Sequence, residues 1–231
     1  MTARTTRRIV ALADTHLFHD ELSVPPGDVL VHAGDFCRAG TLRECGAFAH
    51  WWNGLPHRHK VLVPGNHDRC FQERRAEAER LFPGTSVLID SEAVVADLRI
   101  YGSPWQPAYN DWAYNLPRGP ALAARWETIP RGLDVLVTHG PPHGLGDRTS
   151  HAGRQFAGVH TGCVDLAARV ARVRPALHLF GHVHEDGGAW FEDGRLSANV
   201  TTWECERGCT VLDVDLGTRS AETVEVPPPG R

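Results

Sequence analysis

Short apolar runs that stop at a polar cluster set the pattern of this chain. Residues 9–13, 29–31, 60–63, 133–137 and 176–180 are rich in Val, Leu and Ile and are each closed by a turn residue or a charge. Uninterrupted runs of this length predict strands buried on both faces. Between Thr41 and Leu55 the period changes, because Leu42, Cys45, Phe48, Ala49, Trp52 and Leu55 recur every three or four positions. That spacing predicts an amphipathic helix with Thr41 as its N-cap. Further helices are expected over 71–82, stopped by Pro83-Gly84, and over 120–129 and 163–173. Strands are expected over 87–89 and 93–101 around a turn at Asp90-Ser91-Glu92, and over 189–191, 196–203 and 209–216. Two stretches fit neither period: an aromatic-rich segment over 102–114 and a glycine-rich one over 140–162, and loops of that length are usually functional.

Strands alternating with helices indicate an α/β fold, and 231 residues with 42% hydrophobic side chains can bury a sizeable core. No linker divides the chain, so one domain is expected over 1–225, with a disordered proline-rich tail over 226–231. The net charge of −4, with Lys60 as the only lysine, gives no footprint for duplex nucleic acid. No apolar run is long enough for a membrane helix, and no signal-type segment follows the basic start, which points to a cytoplasmic protein. The six scattered cysteines, Cys205 and Cys209 among them, read as reduced thiols rather than a disulfide framework.

The 14 histidines change the picture, because several sit where apolar runs end. Five clusters recur there: Asp14-Thr15-His16, Gly34-Asp35, Gly65-Asn66-His67-Asp68, Thr138-His139 and Gly181-His182-Val183-His184. In an extended segment His182 and His184 point the same way and can face one cavity. Carboxylate, amide and imidazole together suit manganese, iron or zinc rather than calcium. Asp14, His16, Asp35, Asn66, His139, His182 and His184 are too many ligands for one ion, and they divide over two if one carboxylate bridges. Such a pair would hold an activated water in line with a phosphorus. His67 is the candidate proton donor to the leaving group, with Asp68 orienting its ring.

These five motifs, in this order, resemble the signature of the calcineurin-like metallophosphoesterase superfamily. The resemblance implies a four-layer α/β/β/α sandwich with mixed sheets. It implies one metal on Asp14, His16, Asp35 and His184, a second on Asp35, Asn66, His139 and His182, a bridging hydroxide as nucleophile, and His67 at the leaving group. More narrowly, 101–107 and 138–142 look like the branch with class III cyclic-nucleotide phosphodiesterases and the animal metallophosphoesterase-domain proteins. The second motif runs Gly34-Asp35-Phe36-Cys37-Arg38-Ala39-Gly40, lacking the second aspartate of the protein phosphatases, which argues against that activity. The expected enzyme is a two-metal phosphoesterase, using manganese with iron or zinc as alternatives. Its substrate would be a small phosphodiester, cyclic nucleotides leading, or a phosphomonoester. His143, Trp105 and Tyr109 are candidate substrate contacts, the two aromatic rings as stacking surfaces for a base. A nuclease for DNA or RNA ends and a non-catalytic interaction module are the alternatives, and either a monomer or a homodimer is compatible.

Overall fold

Residues alternate along β1 (Thr6–Leu12), where Ile9 and Ala11 face one way and Val10 and Leu12 the other, yet all four are fully buried. A strand with two buried faces needs packing on both, and the architecture follows from that. In a computed structural model of the protein, residues 5–149 and 158–225 are described. The expected tail over 226–231 and the middle of the 140–162 loop, with His151, lie outside the described residues.

After β1 come β2 (Val29–His32), α1 (Leu42–Gly54), β3 (His59–Leu62), α2 (Arg69–Glu73), α3 (Arg75–Glu79) and β4 (Thr85–Val87). A hairpin of β5 (Ser91–Val95) and β6 (Leu98–Ser103) follows, then the short β7 (Gln106–Pro107) and β8 (Asn115–Leu116), α4 (Pro120–Trp126) and β9 (Val135–Thr138). The short β10 (Arg148–Thr149) and β11 (Val159–His160) lead to α5 (Val164–Val173), β12 (Leu177–Phe180), β13 (Gly188–Glu192), β14 (Arg195–Asn199), β15 (Thr210–Asp215) and β16 (Ser220–Val224). One sheet has the order β16-β15-β1-β2-β3-β4, the other β13-β14-β12-β9-β6-β5. Each is parallel at its centre and antiparallel towards a margin, as with β15 against β1 and β5 against β6.

The inward faces meet in one core, with Ile9, Ala11, Val31 and Val61 from the first sheet against Ile100, Val135, Val137 and Leu179 from the second. The outer face of the first sheet packs Val10, Leu12, Leu30 and Leu62 on Phe48 and Trp52 of α1 and on Phe71 and Ala78 of α2 and α3. Leu136 on the outer face of the second sheet packs on Leu122 and Trp126 of α4 and on Leu166 and Val170 of α5. The result is the expected α/β/β/α sandwich. Helix α1 starts as its spacing requires: Thr41 Oγ1 accepts the Glu44 N–H and Glu44 Oε2 accepts the Thr41 N–H, a closed capping box.

The structure departs from the pattern in several places, and the strand expected over 196–203 stops at Asn199. The helix expected over 71–82 breaks at Arg74, whose backbone turns to φ −136°. Continuing the helix would carry Arg74 and Arg75, three and four residues past buried Phe71, onto the core face, and residues 72–77 are all exposed. The run over 93–101 is two strands rather than one. Ala96 and Asp97 take φ of 50° and 68°, a tight hairpin turn without its usual Asn or Gly, and Arg7 holds it through the Ala96 carbonyl and the Asp97 carboxylate. The strand expected over 87–89 instead ends at Val87, and the 90–92 turn gives way to β5 from Ser91. β16 leaves no pattern in the sequence because only Ala221 of it is buried.

Candidate metal centre

The C-terminal ends of β1, β2 and β3 lead into Asp14, Asp35 and Asn66, and those of β9 and β12 into His139 and His182. The chain leaves these strands sharply, with Asp14, His16, Asp35 and His182 at φ of 57°, 41°, 62° and 72°. Non-glycine residues in this region store on the order of 1–3 kcal/mol each and persist where the surroundings enforce them. Enforcement is visible in the backbone: Asp14 N–H donates to Gly34 O at 2.9 Å and His16 N–H to Asp35 O at 3.1 Å. Buried His32 clamps the same two loops, its Nε2 on Thr15 Oγ1 at 3.2 Å and its Nδ1 accepting the Gly34 N–H at 3.1 Å. Burial holds that imidazole neutral, its pKa pushed down to about 3.

Motif glycines mark where backbone must approach a ligand. A Cβ on Gly65 would lie 2.2 Å from Asp35 Oδ1, and one on Gly181 would lie 2.6 Å from Asp14 Oδ2. Gly65→Ala is therefore expected to lower the thermal midpoint, overpacking of this kind costing about 1–3 kcal/mol, and to reduce metal uptake. An unchanged midpoint and metal content would show that the approach tolerates a methyl group.

Three overlapping clusters of donors form, the middle one of His16, Asp35 and His67. In the outer two, Asp14, His16 and His184 offer ligand atoms within 4.8 Å of one another, and so do Asp35, His139 and His182. Asp35 stands between them, its Oδ2 3.9 Å from His16 Nε2 and 3.3 Å from His139 Nε2. Asn66 Oδ1 joins the second cluster, 2.7 Å from His139 Nε2.

The chemistry of this donor set fits divalent cations. His16 Nδ1 lies 2.9 Å from the Cys37 carbonyl and His139 Nδ1 2.9 Å from the Ala33 carbonyl, so in each neutral ring Nδ1 carries the proton. Each neutral Nε2 is then a lone pair aimed into the site, with His184 Nε2 at 3.3 Å in one case and the Asn66 amide oxygen in the other. An acceptor facing an acceptor in a buried site, as at His139 and Asn66, calls for a cation between them. Without metal, a proton meets that need at His139: burial opposes its charge, but the Asp35 carboxylate outweighs it and raises the pKa to about 9. Asp35 is held well below the usual carboxylate range, burial opposing and His139 with His16 prevailing. His182 is driven the other way by burial, to about 3.

His67 lines the same space. Its backbone N–H donates to Asp35 Oδ1 at 2.8 Å, its Nδ1 donates to the Arg38 carbonyl at 2.5 Å, and the Trp112 ring stands at right angles to it, centroids 3.5 Å apart. Burial lowers its pKa. Asp68 does not orient this ring, contrary to the sequence reading. Its carboxylate is turned to the backbone, accepting the N–H groups of Asp35 at 2.8 Å, Gly65 at 2.7 Å and Cys37 at 2.9 Å, so it shapes the loop that carries Asp35. The expected strand alternation of His182 and His184 also gives way. His182 is left-handed, its N–H on the Asp14 carboxylate, and His184 opens a short 3-10 turn, so a loop rather than a strand delivers both rings.

Residues 7–186 match the family described as calcineurin-like phosphoesterase. The chain belongs to the calcineurin-like phosphoesterases. Human metallophosphoesterase domain-containing protein 1 is 39% identical over 228 residues, which cover 88% of this chain and 67% of that protein. UPF0046 protein C25E10.12 of Caenorhabditis elegans is 36% identical over 201 residues, 78% of this chain and 70% of its own. The fold is shared with TT1561 of Thermus thermophilus, with a TM-score of 0.60 at 18% identity over 95% of this chain and 99% of the other.

In this calcineurin-like phosphoesterase some of the donors form the floor of an open cleft of about 730 Å³, with Asp14, Asn66 and His139 behind it. His16, Asp35, His67, His182 and His184 reach it from below, while Tyr109, Trp112 and Trp203 line it with Arg118, Thr149 and Thr161. Of the three substrate contacts suggested by the sequence, only Tyr109 lies there. Trp105 instead supports the loop, its Nε1 on Asp90 Oδ2 at 2.7 Å and Arg125 over its ring at 4.4 Å. His143 turns aside to Asp147, 3.6 Å away, which also binds His160. Trp112 and Trp203 were missed as cleft residues; Trp112 stood in a segment whose aromatic content was the one available signal. The six cysteines are free, and among the described residues none joins a metal-ligand cluster. Among those residues no helix is long and apolar enough to cross a membrane.

Proposed function

We propose that the protein is a phosphodiesterase acting on a small phosphate diester, a cyclic nucleotide being the leading substrate class. In this reading Asp14, His16, Asp35 and His184 hold one divalent cation and Asp35, Asn66, His139 and His182 a second. The observation that carries it is the pair of imidazole Nε2 atoms flanking one shared carboxylate beneath an open cleft. Manganese, iron or zinc there would acidify a water near neutral pH and neutralise phosphate oxygens. The chain's own residues do the rest. Hydrogen bonds from His16 and His139 to backbone carbonyls fix the direction of their lone pairs. The Arg38 carbonyl takes the Nδ1–H and fixes the tilt of His67, so that a second proton, taken up on Nε2 beside the Asp35 carboxylate, is the one delivered to the departing oxygen.

The cleft suits a small substrate better than a strand of nucleic acid. Among the described residues lining it, Arg118 is the single arginine, and its guanidinium is engaged by the carbonyls of Thr161 and Gly162, while Glu185 and Glu206 add negative charge. A non-catalytic module would be expected to have lost donors, and all seven are present. Protein loaded with manganese is expected to carry two ions per chain by elemental analysis. It should hydrolyse 3′,5′-cyclic AMP and bis-p-nitrophenyl phosphate but not single-stranded DNA. Inertness towards both diesters in metal-replete protein would favour the interaction module, and cleavage of DNA alone would favour the nuclease.

A further inference from the structure

Past β14 the chain makes a turn that L-residues avoid. Trp203, Glu204 and Cys205 take φ of 47°, 53° and 71° in succession. Left-handed backbone is normally visited by single residues, so three in a row mark a segment held against its preference. The holding contacts surround it: Trp203 N–H donates to Thr201 Oγ1 at 3.1 Å, Thr202 N–H to Ala13 O at 2.9 Å, and the Cys205 thiol to Phe18 O at 3.1 Å. The Glu204 carboxylate pairs with Arg38 at 3.2 Å, and the Arg207 guanidinium lies 5.2 Å from the Trp203 ring centroid.

The turn sets an aromatic ring in the wall of the cleft. Glu204 N–H, one residue after Trp203, donates to the carbonyl of Asp14 at 3.0 Å. Trp112 is tied in the same way on the other cluster, where Ala113 N–H donates to the carbonyl of Asn66 at 3.0 Å. Each tryptophan of the cleft is thus indexed by one backbone bond to one donor residue. They differ in placement, because Trp112 is packed edge-on against His67 whereas Trp203 lines the cleft that His16 and His184 also line.

We infer that Trp203 is the specificity-determining residue of the cleft, the surface on which the base of a bound nucleotide stacks. The inference rests on the phosphodiesterase reading for the position of the phosphate, over the donors of the floor. It assigns the aromatic wall to the part of the ligand that is not phosphate. Base stacking on one aromatic ring is worth roughly tenfold to a hundredfold in affinity and accepts any base, since each has a π-face.

The test compares ligands that share a phosphate and ribose and differ only in the base, so it needs no turnover. Binding of 5′-AMP and of ribose 5-phosphate to the manganese-loaded protein would be measured by calorimetry for the wild type, Trp203→Ala and Trp203→Phe. The wild type is expected to prefer 5′-AMP by about tenfold or more. Trp203→Ala should lose that preference with ribose 5-phosphate affinity and metal content unchanged, and Trp203→Phe should keep most of it. Equal wild-type affinity for the two ligands, or an alanine variant that weakens both alike, would overturn the assignment. A base preference lost in Trp203→Ala without hydrolysis of any diester would sustain the stacking role and refute the enzymatic one.

Discussion

Asp35→Ala is expected to leave a folded protein that retains neither cation and has lost turnover well beyond the roughly 10²–10⁴-fold that a single proton donor contributes. The expectation follows from how its two oxygens are spent. Oδ1 accepts the His67 N–H, and Oδ2 faces both clusters, 3.9 Å from His16 Nε2 and 3.3 Å from His139 Nε2. Among the described residues, no other carboxylate is placed to serve both. Asn66→Ala is the control, since its amide oxygen meets only His139; that variant should keep the ion on Asp14, His16 and His184. Elemental analysis of the purified variants reads the difference directly. Two ions retained in Asp35→Ala would mean that the clusters are independent and the shared carboxylate is not the hinge of the site.

His67→Ala should behave in another way. Both ions should remain, because none of the seven proposed donors is touched, and turnover should fall by about 10²–10⁴-fold. The size of the loss should depend on the leaving group. An acidic phenol departs without help, so bis-p-nitrophenyl phosphate should suffer least, whereas a ribose alkoxide needs the proton and a cyclic nucleotide should suffer most. Equal losses on the two substrates would remove His67 from the leaving group and reassign it to the stability of the loop. Trp112, packed edge-on against this ring, keeps it upright over the floor of the cleft.

The donor residues were legible in the sequence because their types are unusual at the ends of apolar runs, and chemistry of that kind survives an error about geometry. Strand alternation placed His182 and His184 together; the left-handed backbone at His182 contradicts it, yet both rings arrive where the chemistry needs them. What stayed hidden was held by backbone atoms. The partner of the His67 ring is the carbonyl of Arg38, an acceptor every residue carries, so no pattern of side chains could have announced it, and neighbouring Asp68 was given the task instead. The break at Arg74 and the Ala96-Asp97 turn were hidden for a related reason. Each depends on what lies across the fold, an arginine refused by the core in one case and Arg7 gripping the turn in the other. The apolar pattern puts Trp203 at the end of a strand, since a run of left-handed residues leaves no mark in composition.

The region matched to the family stops at residue 186, but the sandwich does not. Beyond that point β13 and β14 finish the second sheet beside β12, and β15 with β16 finish the first beside β1, the strand that leads to Asp14. A chain cut at the family boundary would bare the flanks of β1 and β12, two rows of unsatisfied amides and carbonyls bordered by Val and Leu. Rows of that kind recruit neighbouring molecules into continuous ribbons. The closing segment therefore covers the flanks of two interior strands and moves the open edges of the sheets out to β13 and β16.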